Sequence, residues 1–147
     1  MLYPLFLTLH LFAALIFIGT VFFEVLILGH LHQHLPIRVM VLVEQGVARR
    51  ARALMPWVLL VLFGAGLGMV WLRYLPALSA PLASSFGTLL SLKLILAASV
   101  LLHFLVTMAR MRWGKVSARY SRFIHLSLFA HMVAIVLLAK GMFYLSW

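Results

Sequence analysis

Four long apolar stretches constrain this chain more than anything else in it. They run from Leu5 to Leu28, Leu54 to Leu75, Phe86 to Ala109 and Phe123 to Leu145. About 20 apolar residues, each rising about 1.5 Å, cross a hydrocarbon core of about 30 Å. No water reaches the backbone inside that core, so a crossing segment must satisfy its own N–H and C=O groups, as a helix does. Hydrophobic residues make up 66% of the 147 and the mean hydropathy is +1.17, well above what a water-soluble domain carries. The expected fold is all-α and integral to the membrane. Its four transmembrane helices form an antiparallel bundle, a single domain over residues 1–147. A cleavable signal is not expected, because no basic segment opens the chain and the first apolar stretch is too long.

The net charge of +10 would suit a nucleic-acid partner, but its distribution points to the membrane instead. Arg38, Arg49, Arg50 and Arg52 fall between the first two spans, and Arg110, Arg112, Lys115, Arg119 and Arg122 between the last two. The connection from Pro76 to Ser85 carries no charge. Positive loops stay in the cytoplasm, so both basic loops are expected inside and both termini outside. That pattern suits a multi-pass protein of a bacterial inner membrane, with anionic lipid headgroups rather than nucleic acid as the partner of the arginines. Trp71, Tyr74, Trp113, Tyr144 and Trp147 fit interfacial belts. The chain has no cysteine, which excludes disulfides, iron–sulfur clusters and covalent c-type haem attachment.

Ionisable residues inside the spans carry the functional information, because each is costly there. His10 and Glu24 lie 14 residues apart, roughly 40° from one another on a helix, with Phe17 on the same face between them. Glu24 is one of two acids in the chain and a candidate proton relay. His103 and His131 sit roughly 9 Å and 12 Å from the cytoplasmic ends of their spans, at nearly one depth on helices of opposite direction. Two imidazoles at one depth suit haem b, with iron between them, and Lys93 and Lys140 would neutralise the propionates. His10 lies at a different depth, nearer those propionates. The run Gly64-Ala-Gly66-Leu-Gly68 is expected to serve close helix packing, or to make room for a flat ligand. His30 and His34, four apart before Pro36, form a possible metal pair or a polar cap, and the stretch from Ile37 to Ala53 looks like an interfacial helix. Ser84 or Ser85 can cap the third span.

At these residues the chain resembles the membrane domain shared by the CopD copper-resistance family and the HemJ-type protoporphyrinogen oxidases. The likeness rests on His10 followed by Gly19 and Phe22-Phe23, on Lys93-Leu94 with His103, and on Arg122 with Lys140. It spans nearly the whole chain, although Ile124, His125 and Leu126 depart from the HemJ pattern after the arginine of the last helix. The resemblance implies a four-helix membrane unit, with b-type haem in one branch and copper in the other, and makes His10 the haem-linked residue of the first helix.

Three functions follow as expectations. The first is a haem b-binding membrane redox protein that exchanges electrons with a quinone or a periplasmic partner, with a second copy of the chain completing a homodimer. Its iron candidates are His10, His103 and His131. The second is copper handling through His30, His32, His34, Met108, Met111 and Met132, with protoporphyrinogen oxidation as the other family-derived activity. The third is a structural subunit whose polar residues stitch helices together.

Overall fold

A computed structural model describes residues 2–114 and 117–146. Lys115 of the second basic loop and Trp147 of the aromatic belt lie outside the described residues. All regular structure among the described residues is helical. Four helical segments, Leu2–Leu31, Ile37–Ser79, Ser85–Arg112 and Arg119–Tyr144, are long and apolar enough to cross a membrane. The chain divides into two compact units, residues 1–72 and 73–147, each an antiparallel helical hairpin.

In the first hairpin, α1 (Leu2–Phe22) is apolar all round, and packing rather than amphipathicity selects its inner face. Ala13, Phe17 and Val21 are buried at a spacing of four, the stripe that meets a neighbouring helix. The helix then runs through a π segment, Phe23–Leu28, and one turn of α2 (Gly29–Leu31). Glu24 falls in the first turn of the π segment. Regular α phase therefore ends at Phe22, and the 100° per residue that relates His10 to Glu24 in the sequence does not run unbroken between them.

Pro36 caps the start of α3 (Ile37–Met69), where its missing N–H costs nothing. The stretch from Ile37 to Ala53 is continuous with the second span in this 33-residue helix, with Pro56 inside it. It is not a separate interfacial element. Met40, Leu59, Ala65 and Met69 of α3 are buried. A second π segment, Val70–Tyr74, continues it and carries Arg73.

In the second hairpin, the short α4 (Leu75–Ser79) and a turn lead into α5 (Ser85–Arg112). Ser84 is the cap, its Oγ accepting from the Gly87 N–H at 3.1 Å. A side chain at Gly87 would stand 2.9 Å from the Ala77 carbonyl and 3.0 Å from that of Pro81, so only glycine lets the turn close on the helix. Gly114, at φ +63°, ends α5 in the left-handed conformation, its N–H donating to the Met111 carbonyl. The Oγ of Ser117 accepts from the Tyr120 N–H to start α6 (Ala118–Tyr144). Leu89, Leu90 and Met142 form a core with Tyr74, Phe86, Leu94 and Leu138 around it. Contacts climb α5 as they descend α6: Phe86 meets Phe143 at 5.8 Å between ring centres, and Arg110 lies 4.4 Å over the Tyr120 ring. Much apolar surface stays outside both hairpins, with Leu15, Leu60, Ile95 and Leu137 each more than 60% exposed. Such a surface suits lipid, not water.

The glycines give a paired prediction. Gly87→Ala should destabilise the purified protein by about 1–3 kcal/mol, because backbone rather than a flexible side chain stands in the way. Gly64→Ala meets nothing within 4 Å, and should be neutral or stabilising by up to about 1 kcal/mol. Unfolding in mixed micelles reads both, and equal losses at the two sites would refute the close approach at Gly87.

Candidate functional site

Three histidines inside the spans share one feature. The His10 Nδ1 lies 2.9 Å from the Leu62 carbonyl, the His103 Nδ1 2.7 Å from the Ser99 carbonyl, and the His131 Nδ1 2.7 Å from the Ser127 carbonyl. A carbonyl oxygen only accepts, so each Nδ1 carries the proton and donates it. In the neutral ring this leaves the lone pair on Nε2. Hydrogen bonding thus fixes the tautomer of all three rings.

His10 crosses to α3 with this bond. Its imidazole rests on Gly66, where an added Cβ would lie 3.2 Å from the ring, and Phe6 rests likewise on Gly68 at 3.1 Å. The glycine run therefore does make room for flat groups, and the groups are the protein's own side chains. Small residues let the two backbones approach around an imidazole and a phenyl ring.

His103 and His131 are brought together as their matched depth leads one to expect, and two serines join them. The Ser127 Oγ lies 3.2 Å from the His103 Nε2, and the Ser99 Oγ 3.1 Å from the His131 Nε2. Since each Nε2 holds the lone pair, each hydroxyl is the donor. Both helices carry the same Ser-x-x-x-His spacing, 99–103 and 127–131, and run antiparallel, so the two halves clasp each other reciprocally. Each histidine of this pair binds the backbone of its own helix through Nδ1 and the opposite helix through Nε2. One turn further along, the Thr107 and Tyr120 hydroxyls lie 3.5 Å apart, extending the polar seam. Composition did not single out the serines. The repeated four-residue spacing on two spans of opposite direction was the signal available.

This clasp bears directly on haem. An iron–imidazole bond is close to the 2.0–2.1 Å of other metal–histidine bonds, which puts two rings on opposite faces of one porphyrin about 6 Å apart between centres. The His103 and His131 rings are 5.3 Å apart, tilted by 60°, on directly packed helices, with serine hydroxyls occupying both lone pairs. One porphyrin between them does not fit this hairpin as folded. The donor chemistry suits a metal, since a pinned Nδ1–H is the usual second-shell partner of a ligating histidine, but the helix spacing does not suit that macrocycle.

Among the other residues picked out from the sequence, Lys93 is half-buried on α5 and Lys140 exposed on α6. Glu24 is half-buried in the π segment. Contacts along the first hairpin (Phe6 with Gly68, His10 with Leu62, His32 with Glu44) set a register that brings Glu24 level with Arg49–Arg52. His32 is held by Glu44, with Nε2 2.6 Å from Oε1. Met132 is buried, Met108 half-buried and Met111 exposed. Among the described residues no three His, Cys, Asp or Glu side chains converge as a metal site. No family model, curated protein or solved structure matches the chain.

A double-mutant cycle tests the clasp. Ser127→Ala with His103→Ala, and Ser99→Ala with His131→Ala, should each show a coupling of about 0.6 kcal/mol, and up to about 1.7, the range of hydrogen bonds between membrane helices. The mismatched pair Ser127→Ala with Ser91→Ala should be additive, because Ser91 bonds only the Gly87 carbonyl of its own helix. Additivity in all three cycles would dissolve the clasp.

Proposed function

We propose that this protein is a haem b-binding membrane redox protein whose iron is taken by a histidine of a transmembrane helix. The observation that carries the proposal is the pinned Nδ1–H shared by His10, His103 and His131. It sets Nε2 as the ligating nitrogen and stops the ring from turning, which is what a second shell does at a metal centre. The resemblance makes His10 the haem-linked residue of the first helix, and His10 is therefore the proposed axial ligand; His103 and His131 direct their Nε2 atoms to serines across the hairpin. The role of His103 and His131 is then to hold α5 against α6. Lys93 and Lys140 are the proposed cations for the propionates, and Glu24 the proposed proton carrier near the arginines. Bound haem supplies one-electron transfer, with a quinone or a periplasmic protein as the partner class. Basic loops inside and both termini outside, in a bacterial inner membrane, complete the proposal.

One further reading has an observation of its own. The reciprocal serine–histidine bonds are what a purely structural stitch between helices requires, and they favour a scaffold subunit without a cofactor.

Absorption spectra of the detergent-purified chain separate the two. The redox reading expects a Soret band, with sharpened α and β bands on reduction. His10→Ala should remove it, whereas His103→Ala and His131→Ala should keep haem and lose stability. If instead His103→Ala or His131→Ala abolishes the spectrum while His10→Ala spares it, the clasp opens to take the iron and the assignment to His10 is wrong. A colourless wild type that stays so on addition of haem leaves the scaffold reading. Reporter tags in the loops at Arg49–Arg52 and Arg110–Arg122 should both appear in the cytoplasm, and a periplasmic signal from either would overturn the proposed topology.

A further inference from the structure

We infer that the turn of the first hairpin is a binding site for a divalent first-row transition-metal ion, held by the imidazoles of His30 and His34. Neither residue belongs to the haem proposal, and the inference does not rest on it.

The geometry comes first. The His30 and His34 ring centres are 4.6 Å apart and the planes tilted by 44°. A metal–nitrogen bond of about 2.0–2.1 Å puts each ring centre about 3.2 Å from the ion. Two such rings subtending about 90° at the metal stand about 4.5 Å apart, so the observed spacing is that of neighbouring positions on an octahedral or square ion. Nickel(II) and copper(II) favour those arrangements, with water filling the remaining positions.

Tautomer and position agree with that use. The His34 Nδ1 lies 3.3 Å from the His30 carbonyl and donates to it, which leaves the His34 lone pair on Nε2. Both side chains are exposed at the turn. A hydrated ion reaches them without entering hydrocarbon, where its charge would be prohibitive.

The turn is also ordered in advance. Backbone bonds from the Gln33 N–H to the His30 carbonyl and from the His34 N–H to the Leu31 carbonyl carry the helical path through to His34, and Pro36 ends it. His32 points to a different task. Its 2.6 Å contact with Glu44 ties the turn to α3, so little backbone freedom remains to be lost when an ion binds. Glu44 is moreover one of only two acids in a chain of net charge +10, and it places its carboxylate at this end of the hairpin. That charge offsets part of the repulsion between an incoming cation and the arginines. His30 and His34 are thus the ligands, and the His32–Glu44 contact positions them.

The test is calorimetric titration of Ni2+ into the full chain in detergent. One ion per chain should bind, and His30→Gln or His34→Gln should each weaken binding by at least about tenfold, the lower limit seen when even an outer-shell partner of a ligand is lost. Glu44→Gln should weaken it less, because no ligand is removed, and His103→Gln should leave it unchanged. Circular dichroism and the unfolding midpoint verify that each variant remains folded. The inference is overturned if the folded wild type takes up no Ni2+, or if neither His30→Gln nor His34→Gln weakens uptake. It is also overturned if His103→Gln weakens uptake as much as they do. Haem content enters none of these readouts, so failure here and failure of the redox proposal are distinguishable.

Discussion

A polar atom in hydrocarbon has no water to return to, and each hairpin is arranged around that fact. The backbone meets it by coiling into helices. Side chains meet it by finding partners on their own helix or on the facing one, and His10, His103 and His131 do so through Nδ1 to a carbonyl. In the second hairpin the serines complete the pairing, so an otherwise costly imidazole becomes a specific contact between helices. One such bond is modest in energy. Its value lies in register, because sliding α5 past α6 by one residue would break both serine–histidine pairs at once.

Two ways of bringing helices together are used in the two units. The first hairpin relies on small residues: Gly66 and Gly68 let His10 and Phe6 lie flat against α3. The second relies on hydrogen bonding in the middle and aromatic contact at its ends, with Phe86 against Tyr74 and Phe143 and with Arg110 over Tyr120. The histidines take different roles accordingly. In the first unit an imidazole meets a backbone carbonyl and a glycine surface, whereas in the second two imidazoles meet each other's serines. A ring whose Nε2 is held by a hydroxyl at just over 3 Å is a settled structural element, and any metal chemistry there must first displace that hydroxyl.

The two π segments fall at Phe23–Leu28 and Val70–Tyr74, where the ionisable residues Glu24 and Arg73 lie. A π turn adds a residue to the helical circuit and shifts the face of everything beyond it, and such segments concentrate at functional sites. In this chain they mark where the apolar α1 and α3 spans give way to polar ends. The consequence for reading the sequence is concrete: an angular relation computed with α geometry holds from His10 through Phe17 to Val21 and fails at Glu24.

Much of this was determined by the sequence alone. Length and hydropathy dictate four helices, because a continuous apolar run of about 20 residues satisfies its backbone in lipid by coiling on itself. Pro36 and Ser84 mark helix starts through chemistry local to a few residues, and the matched depths of His103 and His131 follow from a fixed rise per residue. Only the tertiary structure decided which atoms meet. That Gly66 receives an imidazole, that Ser99 and Ser127 complete the histidine pair, and that the His103 and His131 rings stand 5.3 Å apart all depend on the rotation of one helix against another. Rotation is set by packing summed over the whole interface, and in spans apolar on every side, such as α1, no hydrophobic stripe in the sequence records it.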